Sequence, residues 1–265
     1  MSNNIPEDNS TLSLPQRHSK ILSLLQQHGN IPVTQLAEIF KVSEVTIRKD
    51  LSYLEQQKKL FRTHGSAILI SPYIGDRHIS EKEKKNISEK QAIGKAAAQF
   101  IEPEDCIIIA SGTTMTYFAR EIVPKGRLTV ITASVPVTQI LSQHIQLDVM
   151  QLGGITRNSS VSVVGPFAEQ MLSNFNCSKL FMGVDGIDID FGLTTTNMLE
   201  AQLNRVMMDT SQKVIILADS TKFGRRGFSK ICDIEAVDLI ITDKGIPQLY
   251  IDEFNRKGIE VIIVD

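Results

Sequence analysis

The chain has no tryptophan, four tyrosines and only three cysteines in 265 residues. Cys106, Cys177 and Cys232 are far apart, odd in number and form no C-x-x-C pair, which argues against a disulfide framework or a cysteine zinc site and favours a reducing compartment. No apolar run reaches membrane-spanning length. The opening stretch Met1–Leu14 is polar and carries Glu7 and Asp8, so it lacks the basic start and apolar middle of a secretion signal. A cytoplasmic protein without a membrane partner is expected, with residues 1–12 as a disordered tail. The sequence also lacks a G-x-S-x-G elbow, an H-E-x-x-H pair and a Walker loop. No catalytic residue, metal or cofactor is therefore expected. Charge of one sign is not in excess either, with 28 Lys and Arg against 30 Asp and Glu.

That balance is uneven along the chain. Residues 16–62 hold eight basic residues (Arg17, Lys20, Lys41, Arg48, Lys49, Lys58, Lys59, Arg62) against four acids (Glu38, Glu44, Asp50, Glu55). A local basic patch on an otherwise acidic protein suits a DNA-docking module, because only one face must meet phosphates. The 42% hydrophobic content supports one ordinary core and a smaller satellite domain.

Helical periodicity organises the basic segment. Ser13 caps a helix entered through Pro15, with Ile21, Leu24 and Leu25 as its buried stripe and Gly29 as its stop. Thr34 caps a second helix whose Leu36, Ala37, Ile39 and Phe40 share a face, ending near Val42. Ser43 opens a third, in which Ile47, Leu51 and Leu54 fall at i, i+4 and i+7 and pack inward while Val45, Lys49 and Tyr53 point away. The short link Lys41–Val42–Ser43 has the length of a helix-turn-helix turn. Leu60–Arg62, a turn at His64–Ser66 and Ala67–Ile70 predict a hairpin, the wing. The DNA-binding domain is thus expected over 13–71. The residues expected to meet a double-stranded operator are Arg17, Ser43, Val45, Thr46, Arg48, Lys49, Arg62 and His64. Arg48 or Lys49 would chelate guanine, Val45 would meet a thymine methyl and Thr46 would bind phosphate.

Residues 72–87 carry mixed charge without apolar periodicity and are expected to be linker. From 88 to 265 the pattern is α/β: near-continuous apolar runs at 106–110, 128–131, 147–152, 180–184, 214–217, 239–241 and 261–264 alternate with helical segments. Such strands imply a mainly parallel sheet covered on both faces, with ligands where strands end and helices begin. Ser111, Gly112, Thr113 and Thr114 follow a strand and open a helix, so backbone N–H groups, hydroxyls and the helix dipole form an anion cradle. Gly153 and Gly154, Asp185 and the run Asp219–Phe223 follow other strands and are expected at the same pocket. Lys222 would supply a cation for a phosphate, and Asp185 and Asp219 would accept from sugar hydroxyls, although Asp219 could instead orient Lys222.

These motifs together resemble the DeoR family of bacterial regulators: Gln16–His18, Phe40–Ser43, Thr46–Leu51, Leu60–Ala67, Glu89–Lys90, Gly112–Thr114, Gly153–Gly154, Gly192–Thr194 and Asp219–Phe223. The resemblance implies a winged helix-turn-helix with 46–51 on the recognition helix. It also implies a sensor domain of the ribose-5-phosphate isomerase and CoA-transferase type. Members are usually repressors of sugar-catabolism genes, so the implied effector is a phosphorylated sugar. A homo-oligomer, dimer or tetramer, is expected, because a switch needs two or more DNA modules held at fixed spacing. A competing expectation is a sugar-phosphate isomerase or transferase fused to a DNA-binding module. Asp185, Glu200 and Asp219 would then be conceivable bases.

Overall fold

A computed structural model describes residues 12–28, 30–57, 59–63, 66–69 and 78–265, and the chain divides into two compact units, 1–71 and 72–265. Residues 1–11 of the expected tail, the wing-tip residues His64 and Gly65, and residues 72–77 of the expected linker lie outside the described residues.

In the first unit, α1 (Leu14–His28) starts where the Gln16 side chain reaches back to Ser13. The Ser13 N–H and Oγ both donate to Gln16 Oε1, at 3.0 and 2.8 Å. A short strand β1 (Asn30–Pro32) leads directly into α2 (Val33–Phe40). The expected Thr34 cap is corrected here: the helix starts two residues earlier, capped at Pro32 and without a side-chain cap. Pairing of β1 with the wing sets the entry, and Pro32 is already held near the φ that its ring imposes. Lys41 ends α2 in the left-handed region, φ 51°, and the Lys41 and Val42 N–H groups return to the carbonyls of Glu38 and Ala37. Ser43 then caps α3 (Glu44–Gln56) by accepting the Thr46 N–H at 3.2 Å. Ile47, Leu51 and Leu54 are buried with Ile21, Leu36 and Phe40. The hairpin of β2 (Leu60–Thr63) and β3 (Ser66–Leu69) gains β1 as a third strand, in the order β1-β3-β2.

The second unit begins with α4 (Ile79–Glu83) and α5 (Ile87–Ala98). The expectation of linker through residue 87 is therefore corrected: five of these residues form a helix held by side-chain contacts to the sheet unit, a fold that local periodicity could not reveal. Next come β4 (Cys106–Ile109), α6 (Thr113–Glu121), β5 (Leu128–Thr132), α7 (Val135–Leu141) and β6 (Leu147–Gln151). A hairpin of β7 (Ile155–Arg157) and β8 (Ser162–Val164) precedes α8 (Pro166–Leu172) and β9 (Cys177–Met182). The chain continues through β10 (Gly186–Asp188), β11 (Gly192–Thr195), α9 (Met198–Asp209) and β12 (Ser211–Leu217). It finishes with β13 (Ser229–Cys232), β14 (Leu239–Asp243), α10 (Gln248–Arg256) and β15 (Glu260–Val264).

Among the described residues, seven strands form a fully parallel sheet in the order β15-β14-β12-β9-β4-β5-β6. Ile107 and Ile109 of β4 join a core with Phe118, Phe181, Ile215 and Leu239, while Ile108 between them is equally buried on the opposite face. Both faces are thus covered, as the unbroken apolar runs predict. From β4 the chain steps outward to β5 and β6, then returns to place β9 on the other side of β4. The strand order therefore reverses between β4 and β9, and a crevice opens beyond their carboxyl ends.

One polar contact fixes the first unit. Asp50, on the inner side of α3, receives Arg17 Nε at 2.6 Å and Nη2 at 3.0 Å, and His18 Nε2 lies 3.2 Å away. His18 also stacks on Tyr53, with ring centroids 5.0 Å apart. Asp50→Ala leaves a half-buried guanidinium and His18 without their carboxylate and is expected to destabilise this unit by about 2–3 kcal/mol. Denaturant titration should show that loss while the unfolding of the sheet unit stays in place; an unchanged first transition would refute the role.

Candidate functional site

On the first unit, the outward side of α3 presents Val45, 58% exposed, together with Arg48 and Lys49. Lys49 has a solvent-exposed side chain, as expected for groove contact. Arg48 donates to Glu44 Oε2 at 2.6 Å, an exposed pair one helical turn apart and readily exchanged for another anion. Ser43 Oγ and Thr46 Oγ1 are 2.9 Å apart, so both hydroxyls sit at the helix start. Arg62 pairs with Glu55 at 2.6 Å on the solvent side. Arg17 does not join this surface. Its bidentate contact with Asp50 turns it inward, so the expectation of a DNA contact gives way to a positioning role. His64 lies outside the described residues.

The second candidate site lies where the sheet order reverses. Beyond β4, Gly112 takes φ 133° and precedes the first turn of α6, with open space where a Cβ would project. That conformation favours glycine, and it opens the helix whose first residues, Thr113 and Thr114, line the crevice with the unpaired amides that a helix start carries. Beyond β9 comes Asp185, and beyond β12 the run Asp219–Lys222. The latter is pinned by Phe223, whose ring packs on Tyr250 at 5.0 Å, and by the Ser220 N–H, which donates to Asp243 Oδ1 at 2.6 Å. Ser111, Gly112, Thr113, Thr114, Asp185 and Lys222 thus line one cleft.

Gly153 and Gly154 do not. They follow β6, an edge strand separated from β4 by β5, and are absent from the cleft lining. Their role is indirect: at Gly154, φ 159°, a Cβ would stand 2.8 Å from the Val164 carbonyl oxygen. The residue allows the β7–β8 hairpin to fold back, and that hairpin delivers Arg157 and Ser160 to the cleft. The site therefore contains three charged residues that sequence reasoning did not place as ligands: Lys82, Arg157 and Glu200. The only sequence signal for Arg157 was the preceding glycine pair. Lys82 sat within a run of charges in which nothing marks the one that folds inward.

Charges in the cleft are matched with little to spare. Lys82 Nζ lies 2.7 Å from Asp185 Oδ1, and Arg157 Nη1 lies 3.1 Å from Glu200 Oε2. Ser111 Oγ donates to Glu200 Oε1 at 2.9 Å. Asp219 accepts from Asn86 Nδ2 at 3.0 Å and from the N–H and hydroxyl of Thr221. The Lys222 N–H donates to the Asp219 carbonyl at 3.0 Å, and its ammonium makes no ion pair or hydrogen bond with a described residue, although Asp185 and Asp219 both interact with it electrostatically. Burial opposes ionisation of Asp185 and Asp219, but neighbouring ammonium groups and hydrogen bonds hold both carboxyls below the usual range. Glu200 goes the other way: burial lifts it, helped by the charge of Asp185 and only partly countered by Arg157. Among the described residues there is no group of His, Cys, Asp and Glu suited to a metal, and no helix is long and apolar enough to cross a membrane.

Comparison with known proteins places both sites in context. The model of the DeoR-like helix-turn-helix domain matches residues 17–73, and that of the DeoR C-terminal sensor domain matches residues 85–244. The uncharacterized HTH-type transcriptional regulator YulB of Bacillus subtilis (strain 168) is 36% identical over 249 residues, covering 94% of this chain and 96% of that protein. The HTH-type transcriptional regulator GolR of Listeria innocua serovar 6a is 32% identical over 250 residues, covering 94% and 98%. The HTH-type transcriptional repressor GlcR of Bacillus subtilis (strain 168) is 31% identical over 250 residues, covering 94% and 96%. Among solved structures, ribose 5-phosphate isomerase A of Methanocaldococcus jannaschii aligns with a TM-score of 0.39 at 14% identity, covering 52% of this chain and 55% of that one.

Lys90 borders the cleft and yields a prediction. Its buried ammonium donates to the carbonyls of Lys82 and Lys85, each at 2.5 Å, and burial pulls its pKa from 10.5 to about 8. The unfolded chain therefore binds more protons between those two values. The cost of burying this charge is fully present below about pH 8 and is relieved as pH rises toward 10.5. Lysine side-chain NMR should show one ammonium titrating near pH 8, absent in Lys90→Arg; lysines all titrating above pH 10 would contradict it.

Proposed function

This chain belongs to the DeoR family of helix-turn-helix transcriptional regulators, and from that premise we propose that it is a cytoplasmic, homo-oligomeric repressor of a sugar or polyol catabolic operon. A phosphorylated sugar entering the cleft releases it from DNA. The observation that carries the effector reading is the convergence of the α6 amino terminus with Lys222, a cleft cation without an ion pair among the described residues, at the point where the strand order reverses. Asp185 and Glu200 beside them are acceptors for sugar hydroxyls. The outward face of α3 supplies the DNA contacts, with Val45, Arg48 and Lys49 toward base edges and Ser43 and Thr46 toward phosphate.

The protein acts here as a switch without turnover. An effector alters DNA affinity only through its different affinity for the two states, and a coupling of about 1–3 kcal/mol gives roughly 5–150-fold weaker operator binding. The split between Asp185, held ionised, and Glu200, pushed toward its neutral form, is also the pattern of a general acid and base pair. An isomerase reading is therefore testable with the same protein: incubation with pentose and hexose phosphates should give no product, and catalytic turnover would overturn the switch.

The two sites separate by substitution. With operator DNA selected from random duplexes, Arg48→Ala with Lys49→Ala should weaken binding and flatten its salt dependence, while leaving thermal stabilisation by sugar phosphates intact. Lys222→Ala should bind DNA normally and fail to respond to sugar phosphate. Exchange of these two phenotypes would refute the assignment.

A further inference from the structure

We infer that Cys106 and Cys177 are a redox pair: a hydroperoxide oxidises them to a disulfide that staples β4 to β9, and a dithiol or glutathione reverses it. No residue lining the effector cleft takes part, so the pair stands or falls independently of the effector reading.

Separated by 71 positions in the chain, the two sulfurs stand 3.3 Å apart in the fold. Both are free thiols, Cys177 buried and Cys106 half-buried, whereas Cys232 lies on β13 in a different sheet. Strands β4 and β9 are adjacent and parallel, with Ile107 opposite Lys179, and the cysteines stand at the entry of the two strands. The spacing of neighbouring strands, about 4.8 Å, falls within the Cα separation of about 4.4–6.8 Å that disulfides span. Reaching a bond of about 2.05 Å asks the sulfurs to close by about 1.3 Å. The contacts around them hold the pair in place. Asp105 accepts from Lys179 Nζ and from Ser178 Oγ, each at 2.7 Å, and Ser178 Oγ also reaches the Cys106 carbonyl at 3.0 Å. On the other side the Cys177 N–H donates to the Thr210 carbonyl at 2.8 Å. The entry of β4 cannot slide past β9 without breaking these contacts, so the sulfurs face each other before any oxidant arrives.

The two thiols take different parts. Burial, then the hydrogen bond with Cys106 and the charge of that neighbour, push Cys177 up to about 12, so it stays protonated. Cys106 is the sulfur that solvent reaches. Its thiolate attacks one oxygen of the hydroperoxide: an S–O bond forms, the O–O bond breaks, and the other oxygen leaves as an alkoxide that takes up the proton Cys106 released. The Cys177 sulfur then attacks the Cys106 sulfenic acid. The S–S bond forms, the S–O bond breaks, and the oxygen departs as water with the Cys177 proton. Two thiols are oxidised by two electrons, and the hydroperoxide is reduced to an alcohol and water, or to two waters when it is hydrogen peroxide. Closing a span of 71 residues removes freedom from the unfolded chain, which favours the folded sheet.

The test treats the full-length chain with hydrogen peroxide, blocks remaining thiols with iodoacetamide, digests without reductant and reads the peptides by mass spectrometry. A peptide linking Cys106 to Cys177 is expected, with Cys232 recovered alkylated, and dithiothreitol should return all three thiols. In Cys177→Ser, Cys106 should stop at the sulfenic acid and take up dimedone, while Cys232→Ser should form the bridge as the wild type does. The melting midpoint of the oxidised sheet unit should rise by roughly 5–10 °C and fall back on reduction. Absence of the linked peptide from the oxidised wild type, a bridge to Cys232, or linkage only between chains overturns the pair. If Cys106→Ser leaves Cys177 labelled by dimedone and Cys177→Ser leaves Cys106 bare, the order of attack is refuted. A midpoint unchanged or lowered by the bridge overturns the staple.

Discussion

A parallel sheet must send every connection over its faces, and this one reverses its order between β4 and β9. That reversal parts the neighbouring loops and leaves a crevice at the carboxyl ends of the strands, which no other arrangement of the same elements would open at that place. Three consequences meet there. The helix after β4 points its amino terminus into the crevice, the loop after β9 brings Asp185, and the loop after β12 brings Lys222. None of these groups is near another in sequence. Each sits at a strand end because apolar strands need polar, glycine-bearing exits, and the sheet order makes the exits neighbours.

Burial then turns a set of ordinary charges into a responsive one. Asp185, Asp219 and Glu200 lie where water is scarce, so each persists as an anion only to the extent that cations and hydroxyls compensate it. The same physics appears in the first unit, where Asp50 is compensated by Arg17 and His18. The outcome differs because of access. Asp50 is closed over by its partners and locks α1 to α3, whereas the cleft carboxylates border a space that a soluble anion can enter.

Much of this was legible in the residues. Seven apolar runs mark the seven sheet strands, and the i, i+4, i+7 spacing of Ile47, Leu51 and Leu54 predicts the orientation of α3. The Ser-Gly-Thr-Thr and Asp-Ser-Thr-Lys-Phe exits are visible because strand, turn and helix follow one another without interruption. What was not legible depends on distant partners. Arg17 reads as one more cation in a basic segment, and only the fold reveals Asp50 beneath it. Strand β1 is too short to alternate, and Pro32 in place of Thr34 begins α2 because β3 holds the preceding strand. Gly153 and Gly154 signal a close approach correctly, yet sequence does not tell that the neighbour is the Val164 carbonyl rather than a ligand. Lys82 looks like solvent-facing charge because its partner, Asp185, stands 103 residues away.

The mixture of charges in the cleft also bears on which anions it admits. A site built only from amides and lysines would accept any phosphate or sulfate at cellular concentration and would report nothing specific. Here each anion must enter against Asp185 and Glu200, and the repulsion is offset only by a molecule that donates hydrogen bonds to them. In the proposed complex, a hydroxyl-rich phosphate would do both at once, with its dianion on the α6 amides and Lys222 and its hydroxyls on the carboxylates. The carboxylates thus raise the threshold for simple anions more than for sugar phosphates, and selectivity follows from what the site opposes as much as from what it attracts. One of the cations that hold those carboxylates in check, Lys82, stands on α4, the first described element after the DNA-binding unit in the chain.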